Sequence, residues 1–339
     1  MQPGEVVFVE TAARLHFGVL DLRGAAGRWF GGLGAGAPAP LLLVSAERQD
    51  TLSAQGEDAD RAAAFASRYL AEYGIGSRAR IVVHRSLPPH SGLGSGTQLA
   101  LSVARALAEL HGLPTDARTL AGAVGRARRS AVGTWTFAHG GFVVEGGRQR
   151  ESDGCGPLIT RLPFPDDWRC VVAIPEAEQP VLSGAAEEAA FAALPPPSER
   201  EVEKVAHLVL MLMLPALADG DLRAFGTALT EVQQLTGRWF ASIQGGAFAR
   251  GRSAELIARM SELGAVGVGQ SSWGPTVYGI VSGDEAATRL ANDIRGAVGP
   301  SGCVFEGPFR SHGARVWRAA SHENVTEQAS GFRPQPSGL

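Results

Sequence analysis

Residues 87–107, LPPHSGLGSGTQLALSVARAL, place Gly92, Gly94 and Gly96 directly before an apolar segment with helical spacing. A helix start leaves N–H groups unpaired and carries the positive end of the macrodipole. Glycines at that point have no Cβ, so backbone can approach an anion and adopt the positive φ of a concave nest. Ser91, Ser95 and Thr97 add hydroxyls, and Ser or Thr suits an N-cap. Leu99, Val103, Ala106, Leu107 and Leu110 then recur at helical spacing until Gly112-Leu113-Pro114 stops the helix. The segment RARIVVHRS (78–86) reads as the strand leading in. Strand, glycine loop and helix in that order point to anion binding; an ordinary capping turn is the alternative.

The rest of the chain reads as α+β. GEVVFVETA (4–12) and RLHFGVLDL (14–22) alternate with period 2 and predict two strands with a tight connection. WFGGLGAGAPAP (29–40) reads as a Gly/Pro loop before the strand-like LLLVSAE (41–47). Helices are predicted over 60–74, ending at Gly74, and over about 116–128. The stretch around 154–167 is the best boundary. It divides an N-terminal domain (1–160) from a C-terminal domain (161–322), with a tail at 323–339. Past it, a strand is expected at 168–175, helices at about 201–218, 221–240, 252–263 and 284–297, and short strands at 302–306 and 314–318. A second glycine-rich passage, GAVGVGQSSWGPTVYGIVSG, occupies 264–283.

Composition removes several classes. A net charge of −3 gives no reason to expect nucleic acid or an anionic membrane as partner. Lys204 is the sole lysine, so a Walker-type phosphate loop is absent and a side chain that holds phosphate is expected to be Arg. Cys155, Cys170 and Cys303 have no C-x-x-C spacing, which argues against a disulfide framework or a zinc site. The start lacks a basic, then apolar, leader pattern, and the longest apolar run (207–217) is too short to span a bilayer. A cytoplasmic protein is expected, and the apolar helix at 207–214 suggests a homodimer.

LPPHSGLGSGTQ resembles the phosphate-binding motif of the GHMP superfamily of small-molecule kinases, P-x-x-x-G-L-G-S-S. Gly96 stands where the kinase motif has its second serine. That variant, with ARLHFGVLDLRG (13–24), HGGFVVEGG (139–147) and GQSSWGPTVYG (269–279), is similar to a non-kinase branch, the β-ribofuranosylaminobenzene 5′-phosphate synthases of tetrahydromethanopterin biosynthesis. The resemblance implies a two-domain GHMP-kinase-like α+β fold. Its N-terminal domain would be like ribosomal protein S5 domain 2 and its C-terminal domain ferredoxin-like, with the site between them. It further implies a decarboxylating transfer from phosphoribosyl diphosphate to 4-aminobenzoate or 4-hydroxybenzoate, with CO₂ and diphosphate leaving and Mg²⁺ assisting. A Schiff-base role for Lys204 is not expected, hence no pyridoxal phosphate.

On this resemblance Arg14 and His16, on one predicted strand face, are candidates to hold an anionic group and to polarise or deprotonate the ring substituent. Asp21 is a candidate Mg²⁺ ligand or a turn residue. His90, Ser91, Gly92, Gly94, Ser95, Gly96, Thr97 and Gln98 form the candidate phosphate loop. Gly32 and Gly34 belong to a candidate substrate loop or a linker. Arg126, Arg128 and Arg129 form a basic cluster that could meet diphosphate or simply end a helix. His139, Gly140 and Gly141, and Gln270, Ser271, Ser272, Trp273 and Gly274, are candidate substrate contacts, with Trp273 offering a ring face. Two rival classes remain: an ATP-dependent GHMP kinase, and a GHMP-fold ligand sensor without turnover.

Overall fold

The computed structural model describes residues 5–76, 78–176 and 189–320, and the tail expected at 323–339 lies outside them. Two strands dominate the first half. β1 (Val6–Asp21) and β2 (Arg28–Glu47) pair antiparallel from Val6↔Glu47 to Asp21↔Phe30. The two expected strands are therefore one. Its alternation breaks at bulges, between Ala12 and Arg14 and between His16 and Gly18, rather than at a turn.

The expected loop at 29–40 is also strand. Its glycines answer a packing demand: a Cβ on Gly34 would lie 2.2 Å from the Leu15 carbonyl oxygen and 2.6 Å from the Val132 side chain. Composition suggested flexibility where close approach was needed.

The first sheet orders its long path β12-β1-β2-β4-β3, with β3 (Ser53–Gly56), β4 (Arg80–Arg85) and β12 (Arg315–Ala319). β5 (Phe142–Glu145) and β6 (Arg148–Gln149) pair with β2, and β7 (Leu158–Leu162) pairs with β5. Helix α1 (Ala59–Glu72) packs on α2 (Ser95–His111), and α2 packs on β1 and β2. Leu99, Val103, Leu107 and Phe17 are buried there. Truncating one of them, as in Leu107→Ala, costs about 2–5 kcal/mol. Because β12 returns to pair with β1, residues expected in the second domain complete the first sheet.

Helix α3 (Ala117–Ala123) is shorter than the helix expected over 116–128. Gly125 adopts φ 67° while its N–H bonds to the Gly122 carbonyl and that of Arg126 to the Ala121 carbonyl, a Schellman stop. Arg126, Arg128 and Arg129 consequently lie in a loop and not at a helix end. That loop leads into α4 (Val132–His139).

The second sheet is antiparallel, ordered β11-β8-β10-β9: β8 (Trp168–Ile174), β9 (Val266–Gln270), β10 (Val277–Ser282) and β11 (Cys303–Pro308). Helix α5 (Glu199–Leu208) runs through a π-helical turn, Val209–Met213, into α6 (Leu214–Asp219). That turn buries Val209 and Met213 and exposes Leu210 and Met211. No helix among the described residues is long and apolar enough to cross a membrane. Next come α7 (Leu222–Trp239), α8 (Ala241–Gln244), α9 (Arg252–Glu262) and α10 (Asp284–Arg295). Helix α7 touches both β9 and β1. Its buried Gln233 donates to the Phe17 carbonyl at 2.6 Å and accepts from Gln270 N–H at 2.8 Å, so one amide fastens the two sheets together.

Candidate active site

Between the sheets lies a cleft of about 630 Å³. One wall is the glycine loop. Gly94 adopts φ 73° as the N-cap of α2, and the N–H groups of Thr97 and Gln98 turn back to its carbonyl. The first N–H groups of α2 have no carbonyl one turn behind them. Arginines flank this helix start: a Cβ on Gly94 would sit 3.4 Å from Arg14 Nε. One on Gly96 would sit 2.8 Å from Arg61 Nη2 and 3.3 Å from Arg126 Nη2. Gly96 thus has a physical account, since a serine there would crowd the two guanidiniums. Arg126 also lies over the Phe65 ring, 4.8 Å from its centroid.

The second half closes on this loop through residues 271–276. Gly92 and Gly274 are in backbone contact, and the Ser271 hydroxyl donates to the Gly92 carbonyl at 2.8 Å. The same hydroxyl accepts from His16 N–H at 3.0 Å, and Arg14 Nη1 donates to the Gly92 carbonyl at 3.0 Å. Thr276 N–H reaches the Ser91 carbonyl at 3.2 Å. Ser271, Ser91 and Gln98 therefore work as joints and do not line the cleft. Ser91 Oγ donates to the Pro88 carbonyl at 2.7 Å, while Gln98 bonds Thr11 and the Gly133 carbonyl, both at 3.0 Å.

His16 lines the cleft but is only 6% exposed. Burial, with Arg14 as a second cause, pushes its pKa down to about 3, so the imidazole is neutral near neutrality. Its Nε2 lies 3.1 Å from Ser130 Oγ. Behind them is Glu145, 1% exposed, at the end of β5. Ala131 N–H donates to Glu145 Oε1 at 3.2 Å, and Gly147 N–H to Oε2 at 2.8 Å. Burial raises the Glu145 carboxyl to about 7, against the pull of these N–H groups, Arg28 and the Ser130 hydroxyl. Gly32 makes the approach possible: a Cβ there would lie 3.2 Å from Glu145 Oε1 and 3.3 Å from His16 Nε2.

Part of the lining is aromatic. Trp273 stacks on Phe191 at 5.1 Å between centroids and meets Phe240 at 5.3 Å. Phe30 meets Phe191 edge-on at 6.2 Å, and Arg129 lies over Phe191 at 5.1 Å. All five residues line the cleft. Gln270 also lines it but is tied up internally, accepting from Ala249 N–H and donating to Gln244 and the Ser272 carbonyl.

Arg14, His16, His90, Gly92, Gly94, Ser95, Gly96, Thr97, Arg129, Gln270, Ser272, Trp273 and Gly274 all line the cleft. Gly32 and Gly34 lie beneath it, as a strand packing on α4 and β5. Gly140 and Gly141 seat the returning chain: a Cβ on Gly140 would meet the His312 carbonyl oxygen at 2.4 Å, and Gly141 N–H donates to the Arg310 carbonyl. His139 is exposed and stacks on Trp135 instead. Asp21 takes the turn role, its Oδ1 accepting from Arg23 and Gly24 N–H at 2.6 and 2.9 Å outside the lining.

Among the described residues the lining holds no Asp, Glu or Lys, and no three His, Cys, Asp or Glu gather as metal ligands. The cleft as described does not fit a protein-held magnesium ion. Lys204 pairs with Glu231, away from the lining. Arg61, Phe30, Phe191, Phe240, Ser130 and Glu145 were missed by sequence reasoning. Only Glu145 carried a signal, a carboxylate closing the apolar run FVV.

The GHMP kinases N terminal domain model matches residues 60–141, and the GHMP kinases C terminal model matches 213–300. A "Beta-ribofuranosylphenol 5'-phosphate synthase" of Methanothermobacter thermautotrophicus is 36% identical over 333 residues, 91% of this chain and 98% of that one. One of Archaeoglobus fulgidus, with the same name, is 36% identical over 299 residues, 85% and 91% of the two chains. This chain belongs to the GHMP superfamily, in the branch of these synthases. A GHMP fold is also what solved structures show: homoserine kinase from Cytophaga hutchinsonii superposes with TM-score 0.65 at 18% identity, over 92% of this chain and 97% of that one. Membership of the synthase branch makes this GHMP protein an enzyme.

Proposed function

We propose that this GHMP enzyme transfers the phosphoribosyl group of phosphoribosyl diphosphate to the ring of 4-hydroxybenzoate or 4-aminobenzoate, releasing diphosphate and CO₂. The relatives' names contain a ribosylphenol, which favours the hydroxyl acid. The observation that carries the reading is the cleft's division into an arginine-flanked helix start and an aromatic wall, with a neutral imidazole in the same lining.

The α2 N-terminus with Arg14, Arg61 and Arg126 would hold the phosphate groups and take up the charge of the departing diphosphate. Donors placed where charge develops act electrostatically, and removing one typically costs about 10²–10³ in rate. Trp273 and the phenylalanines would stack the benzoate ring, while Arg129 offers a guanidinium to its carboxylate. C1 of ribose loses its bond to diphosphate, and the ring carbon bearing the carboxylate forms the new C–C bond. Loss of CO₂ then restores aromaticity. His16, a neutral acceptor, would take a proton from the ring substituent as the ring supplies electrons and return it afterwards.

An ATP-dependent kinase of the same fold is disfavoured by a described lining without Lys or carboxylate. Mass spectrometry after incubation with phosphoribosyl diphosphate and each acid tests the proposal. A ribosylphenol or ribosylaminobenzene 5′-phosphate supports it. Phosphorylation of homoserine by ATP, with no ribosylated product, overturns it.

A further inference from the structure

A histidine whose imidazolium is so disfavoured makes a poor base by itself, yet its surroundings offer the proton another destination. Ser130 Oγ lies 3.1 Å from His16 Nε2 and accepts from Val132 N–H at 3.3 Å. The next residue, Ala131, donates its N–H to Glu145 Oε1 at 3.2 Å, and the Ser130 hydroxyl is among the groups that pull the Glu145 pKa down. The point a Gly32 Cβ would occupy touches both ends, His16 Nε2 and Glu145 Oε1. Serine has one proton to give and two lone pairs. While Glu145 is ionised, Ser130 spends that proton on the carboxylate, so His16 Nε2 is the donor to Ser130. Nδ1 is then bare, with no hydrogen-bond partner among the described residues, on a ring that lines the cleft.

We infer that His16, Ser130 and Glu145 form a buried proton relay, in which His16 Nδ1 takes a proton from the substrate and Glu145 receives one at the far end. As Nδ1 gains the substrate's proton, Nε2 passes its own to Ser130 and Ser130 passes its own to Glu145. The ring changes tautomer without becoming an imidazolium. The substrate is left as an oxyanion or its amino equivalent, Glu145 becomes a carboxylic acid, and Ser130 ends as it began. Reversal returns the proton once the carboxylate of the substrate has left. Ser130 and Glu145 are positioning residues that act through His16.

Charged and titratable groups facing the relay are Arg14 beside His16, Arg128 and Arg129 on the Ser130 loop, and Arg28, which donates to the Gly146 and Gly147 carbonyls next to Glu145. Cys155 also faces Glu145, with Arg118 behind it. Of these, Arg28 lowers the Glu145 pKa, and the Cys155 thiol is itself pushed up to about 11, so that thiol does not titrate across neutrality in competition with the relay.

The relay's exchange with substrate rests on the proposed function; the proton path from His16 through Ser130 to Glu145 does not, and one experiment separates them. In ¹⁵N-histidine-labelled full-length protein, the His16 ring signals are assigned by their loss in His16→Asn and followed from pH 5.5 to 8.5. The relay gives Nδ1–H at low pH and Nε2–H at high pH, with a midpoint near 7 and no imidazolium. Glu145→Gln abolishes the transition, and Ser130→Ala does so with the carboxylate in place, should Glu145→Gln not fold. A single tautomer across the range, or a transition unchanged in both variants, overturns the inference. In the CO₂-release assay, kcat/KM rises through pH 7 in the native enzyme. It is about 10²–10⁴-fold lower and flat in Glu145→Gln, with partial return in Glu145→Asp. A tautomer switch without CO₂ release keeps the relay and overturns the synthase reading; release with a fixed tautomer does the reverse.

Discussion

Gly274 is packed against Gly92 so closely that a Cβ on Gly274 would lie 2.1 Å from the Gly92 backbone nitrogen. Two glycine-rich loops, about 180 residues apart and following strands of different sheets, interlock there. The contact fixes the second half against the helix start that flanks the cleft. Gly274→Ala meets backbone on its far side, which cannot move aside as a side-chain tip can. This variant is expected to lose several kcal/mol of stability and at least about tenfold in kcat/KM, read by thermal melting and steady-state assay.

Gly96 presents the opposite case, because its neighbours are the tips of Arg61 and Arg126. Gly96→Ser restores the kinase-type residue and displaces those tips. A hydrogen bond to a charged group is worth about 1.5–3 kcal/mol, so KM for phosphoribosyl diphosphate should rise roughly 10–100-fold with little change in melting temperature. An unchanged KM would remove these two arginines from the phosphate account.

Trp273 should be separable from the anion side. Trp273→Ala removes a stacking face worth about 0.5–1.5 kcal/mol beyond its buried area. KM for the aromatic acid is expected to rise at least threefold while KM for phosphoribosyl diphosphate stays the same. Initial-rate kinetics with each substrate varied in turn reads the split.

Acid stability carries the signature of His16. Its folded pKa, about 3, lies below the unfolded 6.5, so the unfolded chain binds the extra proton between those values. Stability from this group is present above pH 6.5 and is lost as pH falls toward 3, on the order of a few kcal/mol. Glu145 opposes it: a folded pKa near 7, above 4.5, makes its contribution full below 4.5 and lost as pH rises through 7. Urea melts from pH 7 to 4 should show a steeper acid loss in Glu145→Gln than in the native protein.

The glycine loop was legible in the sequence because strand, glycines and helix stand consecutively, and a helix start leaves donors whatever follows. Arg14 and His16 share a face as strand period predicts, because the bulges fall on either side of the pair; only the family resemblance marked that face as a candidate site. The segment 29–40 was not, since glycine marks flexibility and close packing alike; only the positions of Leu15 and Val132 decide between them. Arg61 and the aromatic wall come from elements far apart in the chain, and no local pattern announces such convergence. Asp21 and His139 show the converse: each stands in a motif that resembles the family's, while its side chain serves a turn or a stack outside the cleft.

The central claim is tested most directly by incubating the protein with magnesium, phosphoribosyl diphosphate and carboxyl-labelled 4-hydroxybenzoate or 4-aminobenzoate, and counting labelled CO₂. The account predicts release that requires phosphoribosyl diphosphate, faster with the hydroxyl acid, and strongly reduced in His16→Asn. Protein that is folded and binds phosphoribosyl diphosphate yet releases no label from either acid would contradict it.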